Sequence, residues 1–166
     1  SLAAHGYGVA CFENTGDGKF TRHVIMGSQP GESDYGLVFS QLHGMALADI
    51  DGDGVKDLLP GKRYWAHGGI DPGGKDKPVI YWFRTVRGGK PGEVDFVPHL
   101  IDGDSGVGTV VTTGDINGDE RLDVLIGNKK GCYVHLQNQE AARPHIRVVR
   151  KPRTEIEGES MKVLKV

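Results

Sequence analysis

Asp49, Asp51, Asp53 and Asp57 fall at positions 1, 3, 5 and 9 of one short segment, and Asp115, Asn117, Asp119 and Asp123 repeat the spacing 66 residues later. Alternate residues of a loop wrapping around a point send side-chain oxygens inward. Gly52 and Gly118 at position 4 permit the turn, and a carbonyl at position 7, from Val55 or Arg121, completes the shell. Four carboxylates this close repel one another unless a cation sits among them. A hard cation taking roughly 6 to 8 oxygens at about 2.3–2.6 Å answers that need, and Ca2+ fits better than Mg2+ because nearly all the ligands are protein atoms. The second loop carries one charge fewer, through Asn117, which predicts weaker Ca2+ binding or readier use of Mg2+. An EF-hand is excluded, because Pro60 and Ile126 stand at position 12, where a bidentate Glu is needed, and β-like runs flank both loops. An Asp-Gly hairpin with exposed carboxylates is the alternative for each loop, and the matched second copy favours ions.

A second set of residues suits different chemistry. His43 opens an inner-strand run, and Lys62-Arg63-Tyr64-Trp65-Ala66-His67 follows the first Asp loop in a long insertion. Imidazoles at His43 and His67 serve a transition metal or general-base catalysis, and an exposed Tyr64 or Trp65 can stack on a sugar face. Tyr64 therefore joins the two histidines as a catalytic candidate, and Trp65 is the candidate for ligand binding. His23 and His99 recur at matching positions of Phe20–Ile25 and Phe96–Ile101, which favours a structural role, since a unique site seldom repeats in register. Asp102-Gly103-Asp104-Ser105-Gly106 is expected to be a turn between units. Ser105 and Thr109 have no assignable histidine partner, so no nucleophilic triad is expected. Lys129 and Lys130 are expected to be surface charges.

The elements that must position these residues are short strands. Aligning residues 49–61 with 115–127 gives identity at seven of 13 positions, all Asp, Gly or apolar. Runs with β character cover Gly8 to Asn14, Phe20 to Ile25, Gly44 to Ile50, Asp57 to Leu59, Val79 to Arg84, Phe96 to Ile101, Thr109 to Ile116, Asp123 to Ile126, Cys132 to Gln137 and Ile146 to Val149. Turn clusters separate them, among them Asn14-Thr15-Gly16-Asp17-Gly18, Asp71-Pro72-Gly73-Gly74 and Arg87-Gly88-Gly89-Lys90-Pro91-Gly92, and no stretch sustains a helical period with caps. The expectation is all-β: propeller blades of four antiparallel strands in units of about 60–75 residues. Residues 1–35 end one blade, 36–103 form a complete blade with the first ion loop, 104–151 form a further blade with the second, and 152–166 are a tail or linker. Two and a half blades cannot close a ring of about four to eight, so further blades are expected from a parent chain or an oligomer, with a partner covering the blade edges.

Composition agrees. Gly (26) and Pro (8) are frequent among 166 residues, as turn-rich β chains require. Lys plus Arg (20) against Asp plus Glu (22) leaves a net charge of -2, which offers phosphates no basic field and argues against nucleic acid. No apolar run approaches the roughly 20 residues of a membrane-spanning helix. Cys11 and Cys132 are two distant cysteines, expected to be unlinked strand residues. The chain opens Ser1-Leu2-Ala3-Ala4, without an initiator Met or an export signal, as expected of a fragment or processed product.

The pattern D-x-[DN]-G-D-x-x-x-D, between an inner strand and a following L-x-G, resembles the FG-GAP or VCBS repeat, the blade unit of integrin-α-like propellers. Phe12-Glu13-Asn14-Thr15-Gly16-Asp17-Gly18-Lys19-Phe20 is similar to the outer half of such repeats, and the likeness covers residues 6 to about 140. The departures are the long extension from Lys62 to Lys77 and Glu120 where Gly54 stands in the first loop. The resemblance implies a calcium-braced propeller that serves as a scaffold or binds proteins or carbohydrates. It also implies a secreted, extracellular or periplasmic location, where Ca2+ is plentiful. Some exported propellers resembling this repeat form or join sugar-processing lyases and dehydratases, so the competing expectation is an enzyme with a site near His43 and His67. Convergence of those histidines and a carboxylate on one point separates the two classes.

Overall fold

Glycine-closed hairpins and short alternating runs fold into three antiparallel sheets. The computed structural model describes residues 5–88, 93–138 and 146–149; the expected tail from residue 152, and residues 89–92 of the Arg87–Gly92 turn cluster, lie outside them. Strands β1 (Val9–Gly16) and β2 (Lys19–Met26) form a hairpin. Its two-residue turn places Asp17 and Gly18 at φ 51° and 71°, the conformation that an Asp-Gly pair adopts at least strain.

Strands β3 (Leu42–Ala48), β4 (Asp57–Lys62), β5 (Ile80–Arg87) and β6 (Val94–Asp102) form one four-stranded sheet in chain order. Strands β7 (Val111–Gly114), β8 (Asp123–Asn128), β9 (Gly131–Gln137) and β10 (Ile146–Val149) form a second with the same order. The fold is therefore all-β, a partial propeller of four-stranded antiparallel blades. Helical turns among the described residues include the 3-10 segments Pro30–Glu32 and Ala66–Gly69. None of the described helices is long and apolar enough to cross a membrane.

The sheets stack through alternation along their strands. Leu58 and Phe83, paired in register, point to one face and pack with Val9, Met26 and Phe39 beneath the hairpin. Their neighbours Leu59 and Trp82 point the other way, into a core shared with Val111, Val124, Ile126 and Tyr133 of the second sheet. Both faces of the first sheet are thus covered, which is why β4 is buried along its whole length. Strand β4 runs on through Pro60 and Gly61 to Lys62, beyond the expected end at Leu59. The ladder tolerates Pro60, which lacks an N–H, beside an irregularity between Leu42 and Met45.

The segment that connects the two four-stranded sheets is closely packed at two glycines. A methyl group at Gly108 would collide with the Gly127 carbonyl oxygen, and one at Gly61 with the Val107 side chain. Backbone cannot yield as a flexible side chain can. Gly108→Ala is therefore expected to destabilise the fold by about 3 kcal/mol, measured by urea denaturation, whereas Gly103→Ala, with nothing within 4 Å of the added carbon, should stay near wild type.

Candidate functional site

Both Asp loops bridge the first and second strands of a blade. Ala48 pairs with Asp57 at the base of the first and Gly114 with Asp123 at the base of the second, so the repeated spacing occupies the same structural position twice. Gly52 and Gly54 in the first loop, with Gly118 and Glu120 in the second, take positive φ. Glu120 holds at φ 65° the conformation that Gly54 adopts at 86°, a backbone region that L side chains enter at a cost.

In the first loop, carboxylate oxygens of Asp49, Asp51 and Asp57 all lie within 4.8 Å of one another. The Gly54 N–H donates to Asp49 Oδ2 at 2.9 Å, while Asp49 Oδ1 is buried without a hydrogen-bond partner. A buried anionic oxygen left bare is costly, so these residues fit a divalent cation, which would take oxygens from Asp49, Asp51 and Asp57. Asp53 stands slightly apart. Its Oδ1 accepts the Val55 N–H at 2.9 Å, and its Oδ2 lies 3.3 Å from Arg84 Nη2. The guanidinium of Arg84, on β5, also reaches Asp51, setting one fixed cation against the acidic loop.

The second loop is tied mostly to itself. Asp115 Oδ1 accepts N–H groups from Gly118 at 2.7 Å and Asp119 at 3.1 Å, and Oδ2 accepts that of Glu120 at 2.9 Å. These donors, Glu120 foremost, hold the Asp115 carboxyl below the usual carboxylate range. Asn117 Nδ2 donates to Asp119 Oδ2 at 3.0 Å, and the Arg121 side chain approaches the same oxygen at 3.7 Å.

The two position-9 aspartates share a further duty. Asp57 Oδ2 accepts the Ile50 N–H at 3.1 Å and Oδ1 that of Thr85 at 2.8 Å. Asp123 does the same with Ile116 at 2.9 Å and Gln137 at 2.9 Å. Both residues are 0% exposed, so each staples the start of its loop to a neighbouring strand. Burial pushes the Asp57 carboxyl up, and the Thr85 and Ile50 donors oppose that shift. Gln137 Nε2 also donates to the Ile50 carbonyl at 2.9 Å, which links the second blade to the first blade's loop.

The histidine candidates meet in a second place. His67 Nδ1 lies 2.9 Å from Asp71 Oδ2, and His5 Nδ1 lies 3.7 Å from the same oxygen. His43 stacks on His5 with ring centroids 6.0 Å apart, and its Nε2 is 3.2 Å from Arg63 Nη1. Burial and the Arg63 charge hold the His43 pKa down. His67 and Asp71 thus meet with His5 in one cluster, whereas His43 joins it only by stacking on His5 and turns its Nε2 toward Arg63. His5 and Asp71 were not legible as members: His5 is remote in sequence, and Asp71 lies in a segment that scans as a Pro-Gly turn. The one available signal was the His67–Asp71 spacing of four residues.

Tyr64 and Trp65 lie beside each other with ring centroids 6.4 Å apart, and Trp65 is 45% exposed. The two lysines lie at the surface as expected and also anchor this insertion: Lys129 Nζ donates to the Trp65 carbonyl at 3.1 Å, and Lys130 Nζ sits 5.2 Å from the centre of the Tyr64 ring and 2.7 Å from Asp104. Asp102 Oδ2 accepts the N–H groups of Asp104 and Ser105, as the expected turn requires. His23 and His99 occupy matching strand positions in different surroundings, His23 pairing with Glu13 at 2.9 Å and His99 stacking on the buried Trp82 at 4.6 Å. Cys11 and Cys132 are both free thiols. A cleft of about 550 Å³ opens between the hairpin and β6, lined by residues that include Glu13, His23, Tyr35 and Asp95. Compared with family models, curated proteins and solved structures, the chain matches none.

Proposed function

We propose that this chain is a calcium-binding β-propeller module of the FG-GAP or VCBS type, working outside the cytoplasm as a scaffold or as a recognition domain for a protein or carbohydrate. The observation that carries the reading is the buried, unpartnered Asp49 Oδ1 within a cluster of three carboxylates. Asp49, Asp51, Asp53 and Asp57, with the Val55 carbonyl, hold the first ion. Asp115, Asn117, Asp119 and Asp123, with the Arg121 carbonyl, hold a weaker second ion, Ca2+ or Mg2+, because Asp115 is already engaged by three backbone donors. The ions brace the loops, remaining blades come from a longer chain or an oligomer, and Trp65 presents an aromatic face to the ligand.

Thermal melts in EDTA, and after Ca2+ or Mg2+ is restored, test this. Ca2+ at 100 times its dissociation constant is expected to stabilise the fold by about 2.7 kcal/mol, more than Mg2+ does, and Asp49→Asn is expected to remove most of that gain while leaving the melt in EDTA close to wild type. Equal melts in EDTA and in Ca2+ would reduce the carboxylates to turn formers.

The gathering of His5, His43, His67 and Asp71 favours a second reading, in which the module is part of a carbohydrate-processing enzyme of the lyase or dehydratase type. Tyr64 and Trp65 then flank the substrate. Loss of turnover of an acidic or keto sugar in His43→Ala, with an unchanged melt, is the result this reading requires.

A further inference from the structure

We propose that His5, His67 and Asp71 bind one transition-metal ion of the Zn2+ class, at a site separate from both Asp loops. The three residues each offer one donor atom, and these donors lie within 4.8 Å of one another. Two imidazoles and one carboxylate form the ligand set of zinc sites that keep a fourth position open for water or substrate. Bonds of about 2.0 Å in a tetrahedron set neighbouring ligand atoms about 3.3 Å apart, and the measured separations from Asp71 Oδ2, 2.9 Å to His67 Nδ1 and 3.7 Å to His5 Nδ1, bracket that value. The set is softer than the all-oxygen Asp loops, so the two kinds of site select different ions.

Three further observations point the same way. His5 Nδ1 is buried with no hydrogen-bond partner, since 3.7 Å is too long for one; it is a donor atom aimed at Asp71 and left unused. The Asp71 side chain is only 1% exposed and is oriented from behind: Gln41 Nε2 reaches its Oδ2 at 3.4 Å, and buried Lys62 donates to Gln41 Oε1 at 2.7 Å and to Ser40 Oγ at 3.3 Å. Metal sites use such outer partners to fix a ligand's direction. Finally, Gln41, Trp65 and His67 hold left-handed backbone at φ 58°, 50° and 45°. Non-glycine residues adopt that conformation at a cost, and such strain gathers where geometry serves a site. His43 is excluded from the ligand set, since its Nε2 faces Arg63; it forms a wall by stacking on His5.

The site does not depend on the calcium reading, and the test separates them. The full chain is stripped with EDTA, supplied with excess Ca2+, and titrated with Zn2+ by calorimetry and with Co2+ by visible absorption. One equivalent of Zn2+ is expected, with the intense visible bands of four- or five-coordinate Co2+. Gln41→Ala should weaken Zn2+ binding about 10- to 100-fold, the usual effect of losing an outer partner, and His67→Ala and His5→Ala by at least the upper end of that range. Asp49→Asn should leave zinc binding unchanged. His67 is half exposed, so His67→Ala decides the matter even if His5→Ala fails to fold. Absence of zinc uptake by the wild type overturns the proposal, as does uptake that survives His67→Ala or disappears in Asp49→Asn.

Discussion

Asp123→Ala is expected to lower the unfolding free energy by on the order of 4 kcal/mol, with or without calcium. The substitution removes a fully buried carboxylate that accepts from the Ile116 and Gln137 N–H groups, and each orphaned buried donor costs about 1–3 kcal/mol. Asp57→Ala should behave alike, through Ile50 and Thr85. Asn at either position keeps one acceptor oxygen but turns an amide N–H2 toward a backbone donor, so about half the loss should remain. Urea denaturation in EDTA measures the effect free of any ion. An Asp123→Ala midpoint within error of wild type in EDTA would reduce this carboxylate to an ion ligand and nothing more. The contrast with Asp49→Asn, whose effect should appear only when Ca2+ is present, separates the two duties that the repeated motif combines.

Acidification is expected to destabilise the fold through His135. This β9 side chain is 0% exposed, neither ring nitrogen has a hydrogen-bond partner, and Tyr133 lies nearly parallel to it at 6.4 Å. Burial pushes its pKa down to about 4, and the Asp102 charge opposes the shift only weakly. The unfolded chain protonates a histidine near pH 6.5. Between these values the unfolded state binds the extra proton and the native state does not, so stability is fully present above about pH 6.5 and falls as the pH drops toward 4. The loss from this residue alone at pH 4 is about 3 kcal/mol. His135→Phe keeps a ring in the pocket and removes the titration, so its stability should fall by about that much less than wild type between pH 7 and pH 4. Parallel stability curves for the two proteins would show that His135 titrates normally.

The spacing of aspartates and glycines was legible because a loop that wraps around a point is a local object. Its geometry depends on residues within nine positions, and the 66-residue repeat set both copies at the same hairpin. The Asp17-Gly18 turn and the all-β class were legible for the same reason, since turn conformation and strand alternation are properties of neighbouring residues. Strand ends were read less well where Pro60 and Gly61 looked like a stop. Alignment of β4 between two partners carried the ladder past them, and no local rule contains that information.

What only the tertiary structure decided concerns groups brought together from afar. The spacing cast ten loop positions as ion ligands, two of them through carbonyls, and packing added to this by making Asp57 and Asp123 double acceptors for strands that arrive 28 and 14 residues later. Arg84 enters the first loop from β5, and Gln137 reaches Ile50 across 87 residues. His43 and His67 stood out singly, but their company, His5 and Asp71, is assembled by the Gln41 backbone N–H, shared between the His5 and Gly6 carbonyls, and by the turn that returns Asp71 beneath His67. By itself the sequence determined a repeating β hairpin with an acidic loop, because short-range sterics and charge repulsion act within a few residues. The burial of particular carboxylates, the bare His5 nitrogen and the neutral His135 depend on how blades stack, since desolvation is set by whatever the rest of the chain lays over a group.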